Sequence, residues 1–244
     1  MQGNLPSGVS MDNLPVHIAV IMDGNRRWAR MRGLPSAAGH REGERTFHRI
    51  VEFCSNLGIR FLTVYAFSAE NWKRSAEEVG VLMNLFEFYM REERRYILRE
   101  NVRFRIIGDR SGLPASVLRE FEKTERESAG ATGMTLCLAV NYGGRGEILE
   151  AARRMCHDVM NGAVRLEDMD ESSFEGYLMT GGMPSPDLLI RTSGEERLSN
   201  FLLWQCAYSE FYFTDVLWPD FDEDCMRRAI EAYGSRHRRF GGGA

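Results

Sequence analysis

Short apolar runs that end abruptly in polar or glycine-rich residues, and that alternate with stretches of helical spacing, constrain this chain more than any other feature. Residues 18–22, Ile-Ala-Val-Ile-Met, open the series and suit a strand buried on both faces. Asp23 ends that run, Gly24 and Asn25 tolerate a turn, and residues 26–30 read as a helix that Gly33 and Pro35 stop. Further strands are predicted over 61–67, 102–108, 134–140 and 187–192, with a last one beginning at Glu210. Helices are predicted over 37–57, 75–100, 114–129, 168–179 and 222–236, and from the Gly143-Gly144 turn to about Met160. Such an order predicts an α/β chain with a mainly parallel central sheet of about six strands, flanked by helices in a single domain. Ligands of such sheets bind at the carboxyl edge of the strands.

The outer bounds agree. The 244 residues and 43% hydrophobic composition suffice for one large core. Residues 1–14, rich in Gly, Pro, Ser and Asn without period, read as a disordered tail, leaving 15–244 as the domain. The 31 basic and 35 acidic residues are spread along the chain to a net charge of −4, which argues against nucleic acid as a partner. The five cysteines are odd in number and scattered, as expected of reduced thiols rather than a disulfide frame. With no signal-like or membrane-spanning run, the protein is expected to be soluble and cytoplasmic.

Chemistry is concentrated where strands end. At the 23–30 junction the free amides of a new helix suit an anion, and Asp23 beside them makes sense with a metal ion or nearby arginines; Asp23 as a simple helix N-cap is the alternative. The 61–67 strand runs into Ser-Ala-Glu-Asn-Trp-Lys-Arg, and the 187–192 strand into Ser-Gly-Glu-Glu-Arg-Leu-Ser-Asn. The 75–100 helix is apolar on two sides: Val79, Leu82, Met83, Phe86, Tyr89 and Met90 form one stripe, and Val81, Leu85 and Phe88 another. Its second side calls for either a subunit partner or a hydrophobic tunnel.

Taken together, "HIAVIMDGNRRWA", Gly39-His40, "YAFSAENWKR", "NYGGRGEI", "PDLLIRTSGEERLSNFLLWQ" and "SEFYFTDVLWPDF" resemble the cis-prenyltransferases, whose bacterial members include undecaprenyl diphosphate synthases. The resemblance covers residues 16–242. It implies a homodimeric α/β fold with a hydrophobic tunnel, requiring Mg²⁺. It also implies condensation of isopentenyl diphosphate repeatedly onto an allylic diphosphate such as farnesyl diphosphate. The expected product is a long-chain polyprenyl diphosphate, undecaprenyl diphosphate above all, a lipid carrier precursor for the cell wall. A short- or medium-chain synthase and a non-catalytic subunit are the alternatives. Release of so apolar a product implies peripheral contact with the inner face of the membrane.

By the same resemblance, Asp23 is a metal ligand and catalytic, and Gly24, Asn25, Arg26, Arg27 and Trp28 hold the allylic diphosphate with His40. Ser36 takes the place of an arginine common in the family; Arg30, Arg32 or Arg41 are its possible replacements. Arg191, Arg197 and Ser199 match residues that bind isopentenyl diphosphate, a role that suits forked guanidinium groups. Asn71 and Ser68 position the isopentenyl unit, and Asn71 counts as catalytic. Glu70 and Trp72 belong to the same block, Arg74 with Glu78 is a further charged pair, and Trp28, Phe67 and Trp72 are candidates to shield a carbocation. Glu210 is the second metal ligand, reached across or alongside the dimer interface, and Arg239 reaches the partner's diphosphate site. Other chemistries are disfavoured. The Asp220, Asp222, Asp224, Glu231 spacing lacks the glycine of a calcium loop, and neither a GxGxxG turn, a Walker sequence nor a DDxxD pair occurs. A Mg²⁺-dependent phosphatase built on Asp23 would need a nucleophile or second aspartate that the sequence does not show.

Overall fold

The computed structural model describes residues 13–236. Six strands, β1 (His17–Ile21), β2 (Phe61–Ser68), β3 (Arg103–Ile107), β4 (Thr135–Tyr142), β5 (Leu188–Arg191) and β6 (Glu210–Phe213), form one sheet in the order β3-β4-β2-β1-β5-β6. Every pairing is parallel. Seven helices accompany it: α1 (Asn25–Met31), α2 (Ser36–Leu57), α3 (Ala76–Arg99), α4 (Ala115–Ser128), α5 (Gly144–Met160), α6 (Glu171–Tyr177) and α7 (Glu223–Gly234). Strands and helices fall close to where the hydrophobic pattern puts them. Leu14, within the stretch expected to be a tail, is buried.

Alternation along each strand divides the core in two. Ile18, Val20, Leu62, Val64, Phe104, Ile106, Leu136 and Leu138 meet α2, α3, α4 and α7 on one face. Ala19, Ile21, Tyr65, Ile107, Cys137 and Ala139 meet the 198–206 loop and Met179 on the other. β1, between β2 and β5, is buried along its whole length, as its unbroken apolar run requires.

The two sheet edges are treated differently. At β3 the outward N–H groups of Phe104 and Ile106 donate to Ser128 Oγ (3.0 Å) and Glu125 Oε1 (2.9 Å) of α4, which blunts that edge. At β6 all residues are only half-buried. α3 turns Val79, Leu82, Met83, Tyr89 and Met90 inward, leaves Val81 and Leu85 half-covered, and leaves Phe88 58% exposed.

Candidate active site

β1, β2 and β5 end side by side, and the turns that follow them enclose a cleft of about 890 Å³. The β1 turn sets its floor. Gly24, at φ 110°, takes a left-handed conformation that a side chain would strain, and a Cβ there would also press on Leu217 at 3.0 Å. The Asp23 N–H donates to Thr192 Oγ1 (2.9 Å), whose hydroxyl donates to Asp23 O (2.7 Å). Asp23 is thereby fixed to the end of β5. Its Oδ1 accepts the Gly24 N–H at 2.8 Å, and its Oδ2 accepts Arg191 Nη2 at 2.9 Å. Arg191 is level with Ile21 in the sheet and its side chain is 4% exposed, whereas that of Asp23 is 40% exposed. Arg191 also donates to Ser199 Oγ (2.8 Å) and to the Arg197 carbonyl, while its buried Nε has no partner among the described residues.

Five arginines border the cleft, Arg26, Arg27, Arg30, Arg74 and Arg191, against two acidic residues, Asp23 and Glu70. That excess suits a ligand with several negative charges. Arg26 and Arg74 share Glu78 (3.6 and 3.0 Å), and Arg27 binds Glu195 (2.9 Å) and the Ser193 carbonyl (2.8 Å). Arg197 and Arg27 hold the Glu195 carboxyl below its ordinary pKa. Of the replacements offered for the arginine missing at Ser36, Arg30 borders the cleft; Arg32 and Arg41 do not.

α2 brings Ser36 and His40 to the opposite wall. It lies so close to α1 that a Cβ at Gly39 would stand 2.0 Å from Asn25 O, and one at Gly43 2.3 Å from Asn25 Oδ1. The buried Asn25 Oδ1, Ser36 Oγ and His40 Nε2 all lack hydrogen-bond partners among the described residues. Burial, with the positive charges of Arg74 and Arg26 outweighing Glu78, lowers the His40 pKa to about 4. The ring is therefore neutral at pH 7 and offers a phosphate oxygen one N–H. At the β2 end, Asn71 Oδ1 accepts the Ser68 N–H (3.1 Å), which leaves the Asn71 amide Nδ2 as its donor. Glu70 borders the cleft too, with Asn200 Nδ2 on its carboxylate at 2.9 Å.

Several expected residues stand elsewhere. Trp28 is clamped outside the cleft wall, its Nε1 on Asp220 (2.7 Å) and the Arg32 guanidinium 4.2 Å over its ring. Trp72 is a packing residue, bonded to Asn141 Oδ1 (2.7 Å) and edge-on to Phe67. Arg197 directs its guanidinium to Glu195 with its side chain 60% exposed, and contributes to the site through its backbone carbonyl. Glu210 is level with Leu188 and hence with Ile18, five residues before Asp23, or roughly 16 Å along the strand direction. Within one chain it does not reach Asp23; it pairs with Arg236 at 2.5 Å. Arg239 lies outside the described residues. Thr192 and Tyr65, which border or brace the site, escaped the sequence reading; the "LLIRTSG" block carries Thr192, but nothing in it signals a hydroxyl holding a backbone 169 residues away.

Behind Asn25, His40, Ala66 and Leu82 the cleft meets an apolar recess between α2 and α3. It measures about 100 Å³. Ala66 faces it by the same alternation that turns Leu62 and Val64 to this side, and the register shift between Tyr65 and Phe67 is a bulge that brings Phe67 onto the same face. Of the two apolar stripes of α3, Leu82, Leu85, Phe86, Tyr89 and Met90 border the recess, while Phe88 is exposed.

Among the described residues no group of three His, Cys, Asp or Glu side chains gathers to hold a metal. Asp23 offers a single carboxylate at the lip of a polyanion cleft. That donor set fits a hard cation that takes one or two carboxylates, keeps several waters and shares the substrate's phosphates, as Mg²⁺ does.

The family model described as "Putative undecaprenyl diphosphate synthase" matches residues 21–241. The isoprenyl transferase of Bacillus subtilis is 53% identical over 229 residues, 94% of this chain and 88% of the relative. That of Geobacter sulfurreducens is 49% identical over 234 residues, 96% and 95% of the two. Among solved structures, lavandulyl diphosphate synthase from Lavandula x intermedia in complex with dimethylallyl diphosphate superposes with a TM-score of 0.92 at 43% identity, covering 94% of this chain and 99% of that one. A "probable undecaprenyl diphosphate synthase" from Campylobacter jejuni gives 0.77 at 32%, covering 93% and 98%.

Proposed function

The chain belongs to the undecaprenyl diphosphate synthase family of prenyl transferases, and from that premise we propose that it joins isopentenyl diphosphate repeatedly to an allylic diphosphate, farnesyl diphosphate first, forming cis double bonds. The product is a long-chain polyprenyl diphosphate, undecaprenyl diphosphate, which feeds the cell-wall lipid carrier. The observation that carries this reading is the contact of Asp23 with Arg191 at the lip of a five-arginine cleft that leads into an apolar recess.

Breaking an allylic carbon–oxygen bond leaves a diphosphate anion, so donors must already point at the departing charge. Gly24, Asn25, Arg26, Arg27 and Arg30 surround the allylic diphosphate, with Ser36 and the neutral His40 as further donors. Of the unpartnered buried atoms, Ser36 Oγ and His40 Nε2 are the ones that can donate to that ligand when it arrives. Arg191 and Ser199 receive the diphosphate of isopentenyl diphosphate, and Ser68 and Asn71 orient its reacting end. Bound at Asp23, Mg²⁺ supplies charge neutralisation to the leaving diphosphate. Aromatic Phe67 and the recess beyond it keep water from the electron-poor carbon.

The half-buried aromatic edge at β6 supports a homodimer through that strand, and the metal role of Glu210 then requires the second copy. No described helix is long and apolar enough to cross a membrane, so delivery of the product calls for peripheral contact at the inner face from the cytoplasm. Incubation with Mg²⁺, farnesyl diphosphate and labelled isopentenyl diphosphate tests the reading. Labelled products longer than the primer are expected, with a chromatographic length of 55 carbons for undecaprenyl diphosphate; a protein that incorporates no label overturns it.

A further inference from the structure

The recess between α2 and α3 carries one ionisable group that neither substrate recognition nor the condensation uses. Glu44 lies four residues beyond His40 on α2, is half-buried, and borders the recess with Phe47, Leu85, Phe86, Tyr89 and Leu138. Asn25 and His40 border both the recess and the cleft, so they stand where the two meet; Glu44 borders the recess alone.

Its carboxylate makes no hydrogen bond and has no cation within 4 Å among the described residues, while the groups around it are engaged elsewhere. Arg45 pairs with Glu42 at 3.0 Å, and His48 with Glu93 at 2.8 Å. The Tyr89 hydroxyl donates to the Glu44 backbone carbonyl at 2.7 Å, which pins α3 to α2 at this point but leaves the carboxyl itself unheld. A carboxyl against an apolar wall without a partner pays for its charge. Burial, and the Glu93 carboxylate nearby, push its pKa up to about 7 against the pull of Arg45 and Arg41. The charge on this wall therefore switches close to neutrality.

We propose that Glu44 is a length gate: neutral, it lets a growing prenyl chain pass along the recess between α2 and α3, and ionised, it arrests the chain there. The inference rests on the elongating activity proposed above and adds to it the residue that decides how far elongation goes. Burying each further five-carbon unit is favourable. A hydrocarbon end pressed against an ionised carboxylate also strips that group of its remaining water, and this cost opposes the next addition.

The groups that face Glu44 are His40, Arg41, Arg45 and His48 on α2 and Tyr89 and Glu93 on α3. His40, with its pKa near 4, and Tyr89, pushed above its ordinary value by burial and by Glu44 and Glu93, keep one charge state through the range that matters. The Glu44→Gln variant retains all six.

Full-length wild type and Glu44→Gln are to be given farnesyl diphosphate and labelled isopentenyl diphosphate at about pH 6 and about pH 8.5, on either side of the switch. Product length is resolved by chromatography, and the rate of the first condensation is read separately. Wild type is expected to make products shorter by at least one five-carbon unit at the higher pH, and Glu44→Gln to make the longer set at both. Glu44→Asp, which keeps the charge, is expected to keep the pH response. A length response to pH that is the same in wild type and Glu44→Gln, or absent from both, overturns the gate while leaving the activity intact. A protein that adds no unit at either pH overturns the activity, and the gate with it.

Discussion

Asp23 and Arg191 are 168 positions apart in the chain and touch because β1 and β5 are neighbours with Ile21 beside Arg191. Each depends on the other: Arg191 is a buried cation, and Asp23 is the carboxylate that balances it while keeping an exposed face toward the cleft. Asp23→Asn keeps the shape and loses the charge. Condensation is expected to fall by about 10²–10³-fold, the scale of losing a preorganised electrostatic contact. A rate within a few-fold of wild type, in a variant whose circular dichroism is unchanged, removes Asp23 from the chemistry.

His17 belongs to the same scale but to stability. Its ring is buried between Pro184 O (2.7 Å) and Thr63 Oγ1 (2.7 Å), and burial lowers its pKa from 6.5 to about 4 against the carbonyl of Pro184 and Asp187. The folded state thus binds fewer protons than the unfolded state between those two values. Stability is complete above pH 6.5 and is lost as pH falls toward 4, by about 3 kcal/mol in all. Denaturant unfolding at a series of pH values checks this, with His17→Gln expected to flatten the slope.

At the scale of elements, the site depends on how closely α2 approaches α1 and on how β2 ends. Gly39 and Gly43 remove the side chains that would hold the two helices apart, and so let Ser36 and His40 face the turn after β1. Alternation along β2 puts Ala66 where cleft and recess meet, and the bulge after Tyr65 adds Phe67 to the same face. A larger side chain at 66 blocks that passage. Ala66→Leu is therefore expected to shorten the products, and an unchanged distribution of chain lengths would show that the chain grows in another direction. For a chain to grow into this 100 Å³ recess, α3 has to yield, against the Tyr89 hydrogen bond to α2 and the ion pairs of Arg91 and Arg94 with α4.

For the molecule as a whole, the uneven treatment of the sheet edges matters most. One edge is capped by α4, and the other presents half-buried Phe211, Tyr212 and Phe213. Among the described residues no strand lies beyond β6 and the Arg236 guanidinium bonds the Phe211 carbonyl at 3.0 Å; an apolar strand edge covered so lightly invites pairing with another chain. Sedimentation equilibrium is expected to give the mass of two chains of 27.9 kDa. A single-chain mass would deny Glu210 any path to Asp23, since within one chain the two lie at opposite ends of the strands.

The sequence alone determined the alternating elements, the parallel sheet and the three strand-end motifs, because hydrophobic period and turn residues are local properties that short windows record. Asp23, Arg191, Asn71 and His40 were legible for that reason and through the motifs they sit in. The tertiary structure decided which motif members face the cleft. Trp28 and Arg197 carry the right chemistry at the right spacing, yet Asp220 with Arg32 turns the first away and Glu195 draws off the second, through contacts of position that no window of sequence contains. It also decided the bulge that turns Phe67, the glycine contact between α1 and α2, and the burial that raises Glu44, since each arises only when elements distant in the chain are pressed together.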